Sequence, residues 1–259
     1  MSIRKRLALS LGVCWAAGLM LARPSAADVV VTQLLQPGAA PAIEGPASLA
    51  RTPYSPASTF KMIIALAAFE KGTASPDTRE LCHDKHLPLR PMRLNFQQAM
   101  LYSSNDFFTK LREQVSDEEI QNVAKRCGFG EITGEWPADK GDLRLYSKIK
   151  ITPLEMTAFL RKLAFGELPV KAQAQKDLVR VMSWPSEVDG VTAYAKTGSW
   201  DRTYWMVGLA VYPTTDAPVF EVIVVNLTKS GSNRDKAVKR FWQIVRRGMD
   251  QHGAKGAGS

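Results

Sequence analysis

The hydrophobic positions change period several times along the chain, and each change predicts an element. Residues 29–35, Val-Val-Val-Thr-Gln-Leu-Leu, are rich in β-branched side chains and predict a strand. Residues 37–46 are rich in Gly, Ala and Pro and predict loop or turn. The polar turn Ser55-Pro56-Ala57-Ser58-Thr59 then runs into the apolar stretch 62–69, which predicts a helix opening at Ser58 and stopping at Gly72. Pro76, Pro88 and Pro91 predict irregular chain over 73–94. Helical spacing returns over 95–113 through Phe96, Met100, Phe107 and Leu111. It returns again over 117–127, where Asp117, Glu118 and Glu119 occupy the first turn and complement the helix dipole. A long polar loop is expected over 131–148. Thr152-Pro153-Leu154-Glu155 combines a capping threonine, a first-turn proline and a capping-box glutamate, so a helix should start there and run to Phe165. A further helix is expected over 171–182. After Pro185 the pattern turns strand-like: 191–196, 203–212 and 219–227 are rich in Val, Ile, Tyr and Trp, with short gaps that suit an antiparallel meander. The chain closes on an amphipathic helix over 234–252, with Val238, Phe241, Ile244, Val245 and Met249 on its apolar stripe.

Strand, then helices, then strands, then helix is α+β segregation rather than βαβ alternation. The expected architecture is an antiparallel sheet flanked by helices plus an all-helical lobe, within a single domain over 28–259. The lobe covers roughly 73–185. The first strand and last helix should join the late sheet, and the groove between sheet and lobe is the natural place for a site.

Composition narrows the function classes. The chain has 259 residues, 45% hydrophobic and 23% charged, as ordinary globular proteins have. Residues 1–27 differ: Arg4-Lys5-Arg6, an uncharged and largely apolar run, then Ser25-Ala26-Ala27. This is the pattern of a secretory signal peptide cut before Asp28. Losing its four basic residues, Arg4, Lys5, Arg6 and Arg23, lowers the formal net charge from +9 to +5. The remaining basic residues are scattered, apart from Lys236, Lys239, Arg240, Arg246 and Arg247 on the last helix, which read as a solvated face rather than a nucleic-acid patch. No second long apolar run follows, so no stable membrane anchor is expected, and the location should be periplasmic or secreted. Export permits a disulfide between Cys82 and Cys127; paired and free states both stay open at this level. Cys82-His83-Asp84-Lys85-His86 fits no standard zinc spacing and reads as a surface loop, with no metal expected.

Three short motifs carry chemistry. Ser58 and Lys61 stand three residues apart, which on a helix puts an amine beside a hydroxyl. A serine needs an adjacent base to become a nucleophile, and Ser-x-x-Lys supplies one within a turn. Ser103-Ser104-Asn105 lies between helices of the middle stretch. Lys196-Thr197-Gly198-Ser199 ends the first strand of the late sheet.

In this order the motifs resemble those of the penicillin-recognising serine enzymes, the β-lactamases and penicillin-binding transpeptidases. Within that superfamily Pro56-Ala57-Ser58-Thr59-Phe60-Lys61, the segment from Ile151 through Phe159-Leu160-Arg161-Lys162-Leu163, and Trp205-Met206-Val207-Gly208 are similar to class D β-lactamases. The resemblance implies an acyl-enzyme on Ser58, with Lys61 as base and backbone N–H groups of Ser58 and Ser199 as oxyanion hole. It implies a proton relay through Ser103 and a substrate amide on Asn105. Lys196 and Thr197 would hold the substrate carboxylate beside Gly198 and Ser199, and Arg234 is a candidate for the same task. The substrate is then a β-lactam or a peptidoglycan-peptide-like small molecule, and no cofactor is needed beyond a carbamate on Lys61.

Three positions depart from the class D pattern. Asn105 replaces a valine that keeps the lysine pocket apolar. Arg144 stands where a tryptophan faces the carbamate, the nearest tryptophan being Trp136. Phe129-Gly130-Glu131 replaces Tyr-Gly-Asn. All three bear on deacylation. The sequence therefore carries a class D-like β-lactamase of weak turnover. It also carries a penicillin-binding or sensor-like domain that stays acylated, and a non-catalytic protein with the inherited fold.

Overall fold

The computed structural model describes residues 28–253; the expected signal peptide lies outside the described residues. The chain opens with strands β1 (Asp28–Leu34) and β2 (Ala42–Glu44) and a single helical turn, α1 (Ala47–Ala50). A 3-10 turn, Ala57–Phe60, leads straight into α2 (Lys61–Lys71). A hairpin of β3 (Arg79–Cys82) and β4 (Met92–Asn95) precedes α3 (Phe96–Tyr102), α4 (Asn105–Gln114) and α5 (Asp117–Cys127). Then come β5 (Glu131–Ile132), a 3-10 segment Leu143–Lys148, β6 (Ile149–Lys150), α6 (Pro153–Phe165) and α7 (Ala172–Val181). The last elements are β7 (Ser183–Trp184), β8 (Thr192–Trp200), β9 (Thr203–Tyr212), β10 (Val219–Leu227) and α8 (Arg234–Gly253).

Six strands form one antiparallel sheet in the order β2-β1-β10-β9-β8-β7. The first strand of the chain pairs with the last, Val31 opposite Val224, so the N-terminus is stitched into the late meander. Period-two alternation splits the apolar residues between two faces. Val29, Val31, Val207, Leu209, Val222 and Val224 face the helices of the middle of the chain. Val30, Ala193, Met206, Ala210, Ile223 and Val225 face α8, where Phe241, Trp242 and Val245 cover them. Helix α2 is apolar on every side and buried from Lys61 to Phe69, as a helix must be when it runs through the centre of a domain.

The sequence patterns place α5, β9, β10 and the start of α6 at the expected residues. Thr152 caps α6 with the full capping box, and Gly166 ends it in the left-handed conformation. Three features differ, and the cysteine state that the sequence left open is resolved. The Gly-Pro-rich stretch after β1 carries the edge strand β2, whose Glu44 holds Arg240 and Arg247 of α8; the basic helix face is thus partly paired rather than only solvated. The segment 73–94, expected to be irregular, forms the β3–β4 hairpin, with Cys82 opposite Met92. The helix expected to open at Ser58 opens at Lys61, with Ser58 in the 3-10 turn before it. Cys82 and Cys127 are both buried and free: one lies on β3, the other at the end of α5. Among the described residues no helix is long and apolar enough to cross a membrane.

Phe241 is fully buried between α8 and the sheet. Phe241→Ala is expected to lower unfolding stability by about 3–5 kcal/mol, read from urea denaturation at constant m-value.

Candidate active site

The nucleophile segment is fixed from several directions. Trp205 on β9 donates its indole N–H to the Ser55 carbonyl at 2.8 Å. The Ser55 hydroxyl donates to the Tyr146 carbonyl at 2.7 Å and accepts the Ala57 amide at 3.2 Å. Thr59 Oγ1 closes on the Pro56 carbonyl at 2.6 Å. Between these anchors Ala57 takes φ +50°, a left-handed conformation that costs an alanine about 1–2 kcal/mol. Such strain persists only where the surroundings over-determine it. Here it presents Ser58, half-buried, at the end of the turn. In a 3-10 turn residues i and i+3 eclipse, so Ser58 and Lys61 share an edge even though Ser58 lies outside the α-helix.

Lys61 is fully buried at the first position of α2. Its Nζ donates to the Ser103 carbonyl at 2.6 Å and to Asn105 Oδ1 at 2.7 Å, and Ser103 Oγ stands 3.3 Å away. Burial pushes the amine down from the ordinary lysine value to about 7, opposed by the charge of Asp84. Asn105 therefore faces the lysine with its carbonyl oxygen. Ser103 sits at φ +57° in the break between α3 and α4, and this puts its hydroxyl between two lysines.

The second lysine is Lys196. It is fully buried on β8 and donates to Ser103 Oγ and to the Thr197 carbonyl, each at 2.9 Å. Burial, then Lys61, then Arg234 hold its amine well below the usual lysine range. Arg234, at the start of α8, reaches Thr197 Oγ1 with its Nε at 3.3 Å. Lys61, Lys196 and Arg234 thus surround Ser103 and Thr197 with basic groups, a setting in which an anionic substrate group would favour their protonated forms. Gly198 lets β8 lie directly on the nucleophile turn. A Cβ there would stand 2.8 Å from the Pro56 carbonyl oxygen and 3.0 Å from the Thr59 methyl. The next residue, Ser199, is exposed beyond it.

The structure brings Ser58, Lys61, Ser103, Asn105, Lys196, Thr197, Gly198 and Arg234 into one neighbourhood. It also shows what occupies the divergent positions. Arg144 is exposed and paired with Asp142. Trp136 packs edge-on against Phe60 at 5.6 Å, with the Arg112 guanidinium over its ring at 5.8 Å. Phe129 is core, against Phe60 and Phe159. Two residues were missed by sequence reasoning. Tyr146, buried against Trp200, places its phenol beside the Ser58 side chain; burial raises the phenol to about 12 and keeps it neutral. Asp84, placed in a surface loop by its sequence, accepts the Asn105 amide at 2.7 Å. Nothing local marks Tyr146.

The family model of the penicillin-binding protein transpeptidase domain matches residues 43–246, and the chain belongs to that family. Among curated relatives, Beta-lactamase OXA-3 of Pseudomonas aeruginosa is 28% identical over 173 residues, 64% of this chain and 60% of that protein. The chain thus spans less than two thirds of that relative's length. Regulatory protein BlaR1 of Bacillus licheniformis is 27% identical over 152 residues, 56% of this chain and 24% of its own. Among solved structures, the class D beta-lactamase BSU-2 delta mutant superposes with a TM-score of 0.69 at 24% identity, covering 85% of this chain and 90% of that one. The fold is that of the class D β-lactamases.

Gly198→Ala is expected to force β8 away from the Pro56 carbonyl and to cost about 1–3 kcal/mol of stability, the range for overpacking. Its urea midpoint against wild type measures this; an unchanged midpoint would show that the strand and turn can separate freely.

Proposed function

We propose that this chain is a class D-like serine β-lactamase that acylates on Ser58 with unmodified Lys61 as base and deacylates slowly. The observation that carries the reading is the pair of short bonds from Lys61 Nζ to two pure acceptors, the Ser103 carbonyl and Asn105 Oδ1. A neutral amine has two N–H groups and one lone pair. The two acceptors use the two N–H groups and leave the lone pair for a hydroxyl proton. A carbamylated nitrogen has a single N–H and would leave one of these acceptors unpartnered in a buried place, at a cost of about 1–3 kcal/mol.

The steps follow. Ser58 Oγ gives its proton to the Lys61 lone pair as it attacks the lactam carbonyl. The developing oxyanion is met by the backbone N–H groups of Ser58 and Ser199, donors of a kind worth roughly 2.7–4 kcal/mol each. The carbon–nitrogen bond breaks, and Ser103 Oγ passes its proton to the leaving nitrogen while Lys61 returns one to Ser103. Lys196, Thr197 and Arg234 take the substrate carboxylate. Deacylation needs a base for water. With no carbamate, the same single amine must serve both steps, and turnover is slow. The second reading, a domain that stays acylated as a sensor, is favoured by the same Asn105 contact and differs only in the deacylation rate. Export to the periplasm or beyond rests on the pattern of residues 1–27.

A fluorescent penicillin is expected to form an adduct that Ser58→Ala abolishes. Hydrolysis of a chromogenic cephalosporin should be slow and indifferent to added bicarbonate. An adduct surviving in Ser58→Ala would sink the nucleophile assignment, and bicarbonate-stimulated turnover would sink the unmodified lysine. A stable adduct with no turnover at all selects the sensor reading.

The acylation rate should also depend on pH. Because Lys61 works as the neutral amine and loses its proton near pH 7, the rate should climb through about pH 7 to a plateau. A stopped-flow or gel-based pH series checks this, and a flat profile across that region contradicts it.

A further inference from the structure

Asp84 lies on the loop between β3 and β4, outside all three motifs. Its carboxylate makes three hydrogen bonds to the start of α4. One oxygen takes the Ser104 hydroxyl. The other takes the Asn105 amide at 2.7 Å and the Asp106 amide at 3.3 Å. Ser104 Oγ in turn accepts the Phe107 amide at 3.1 Å. Asp84 and Ser104 together therefore satisfy the first three orphan amides of a ten-residue helix, with charge-assisted bonds at its positive end.

The consequence reaches the chemistry through Ser103. That residue holds a left-handed conformation in the break between two helices, where a glycine is usual. The Ser103 and Ser104 amides are tied back into α3, to Met100 and Ala99. Asp84 supplies the clamp from the α4 side. With both sides fixed, the Ser103 carbonyl and hydroxyl and the Asn105 carbonyl converge on Lys61.

We propose that Asp84 is the positioning residue of the second motif: its carboxylate clamps the first turn of α4, fixes the Ser103–Asn105 break against Lys61, and places an anion that faces this lysine. The proposal rests on the acylation reading above and adds to it a residue that sets both the geometry and the working pH of the base. The other charged and titratable groups around Lys61 are Lys196 on β8, Arg234 beside it, and Tyr146 through Ser58. Arg112 and Asp142 line the small cleft behind Asn105. On the hairpin side stand His83, 3.3 Å from Asp106, and His86, bonded to the Tyr102 carbonyl at 2.8 Å. Removing the Asp84 charge removes an interaction that favours the protonated Lys61 amine, so its proton is lost more readily.

The test uses the full chain and two variants. Asp84→Asn keeps an acceptor for the amides and supplies a donor for Ser104, so it removes charge with little change of shape. Asp84→Ala removes the clamp. Two quantities are read against pH: the rate of labelling by a fluorescent penicillin, and the Lys61 Cε chemical shift in carbon-13-labelled protein. For Asp84→Asn both midpoints should fall by about one unit, the effect of losing an opposite charge nearby. The two histidines are retained in both proteins. For Asp84→Ala the plateau labelling rate should fall roughly ten- to a hundredfold, as a displaced catalytic group would give. A Lys61 midpoint unmoved in Asp84→Asn overturns the proposal, and so does an Asp84→Ala plateau equal to wild type. If Asp84→Ala does not fold, Asp84→Asn decides. If the wild type is not labelled at all, the acylation reading has failed, and the Lys61 shift still decides whether Asp84 sets its titration.

Discussion

The site depends on one buried amine. Lys61 has no contact with bulk water, and its nitrogen is bracketed by the Ser103 carbonyl and Asn105 Oδ1. Burial drives the proton off; the acceptors hold what N–H groups remain; Asp84 resists full deprotonation. The balance puts the lysine near neutrality, where it can accept and return a proton. Much of the surrounding fold serves this arrangement. The all-apolar helix α2 carries the lysine into the centre, and the broken helix α3–α4 brings the acceptors. The strand β8 brings a second lysine against the same Ser103 hydroxyl.

The sheet contributes by being flat against the nucleophile turn. Gly198 removes the side chain that would hold β8 off Pro56, and Trp205 on the neighbouring strand reaches past it to the Ser55 carbonyl. The 3-10 turn is thus pinned by a close backbone approach on one side and a hydrogen-bonded indole on the other. The strained Ala57 between them presents Ser58, half-buried, at the end of the turn. The same turn is tied to the 143–148 segment through Ser55 and Tyr146, which explains how a loop far along the chain comes to touch the nucleophile.

Most of the architecture was legible in the sequence because its signals are local. Thr152-Pro153-Leu154-Glu155 announces α6 by cap chemistry alone, and the alternating runs over 203–212 and 219–227 are too rich in β-branched residues to be anything but strands. The β3–β4 hairpin was not legible, because three prolines mask two short strands whose pairing depends on α3 and α4 packing beneath them. In the site, the three motifs were readable as spacing. What spacing could not show was direction. Asn105 turns its carbonyl to Lys61 because the Ser103 break sets the first turn of α4 over the lysine. Tyr146 and Asp84 reach the site across 88 and 19 residues from Ser58 and Ser103, and no local pattern encodes such contacts.

The exchange of an apolar side chain for Asn105 has a physical consequence that extends past one contact. An apolar neighbour lowers a lysine's proton affinity by desolvation alone and leaves its N–H groups free to be replaced by a carbon–nitrogen bond. An amide oxygen at 2.7 Å holds one of those N–H groups directly. The amine then remains neutral enough to act as base, since burial still dominates, while its conversion to a carbamate would strip a buried acceptor of its donor. On the proposed function, acylation asks only for a lone pair on the amine, which two N–H···O bonds leave available. Deacylation asks for a second base placed for water, and neither Arg144, exposed and paired with Asp142, nor Trp136, packed on Phe60, shapes a pocket for one. On the proposed function, the substitutions away from the class D pattern would act together on a single step and leave the first half of the reaction intact.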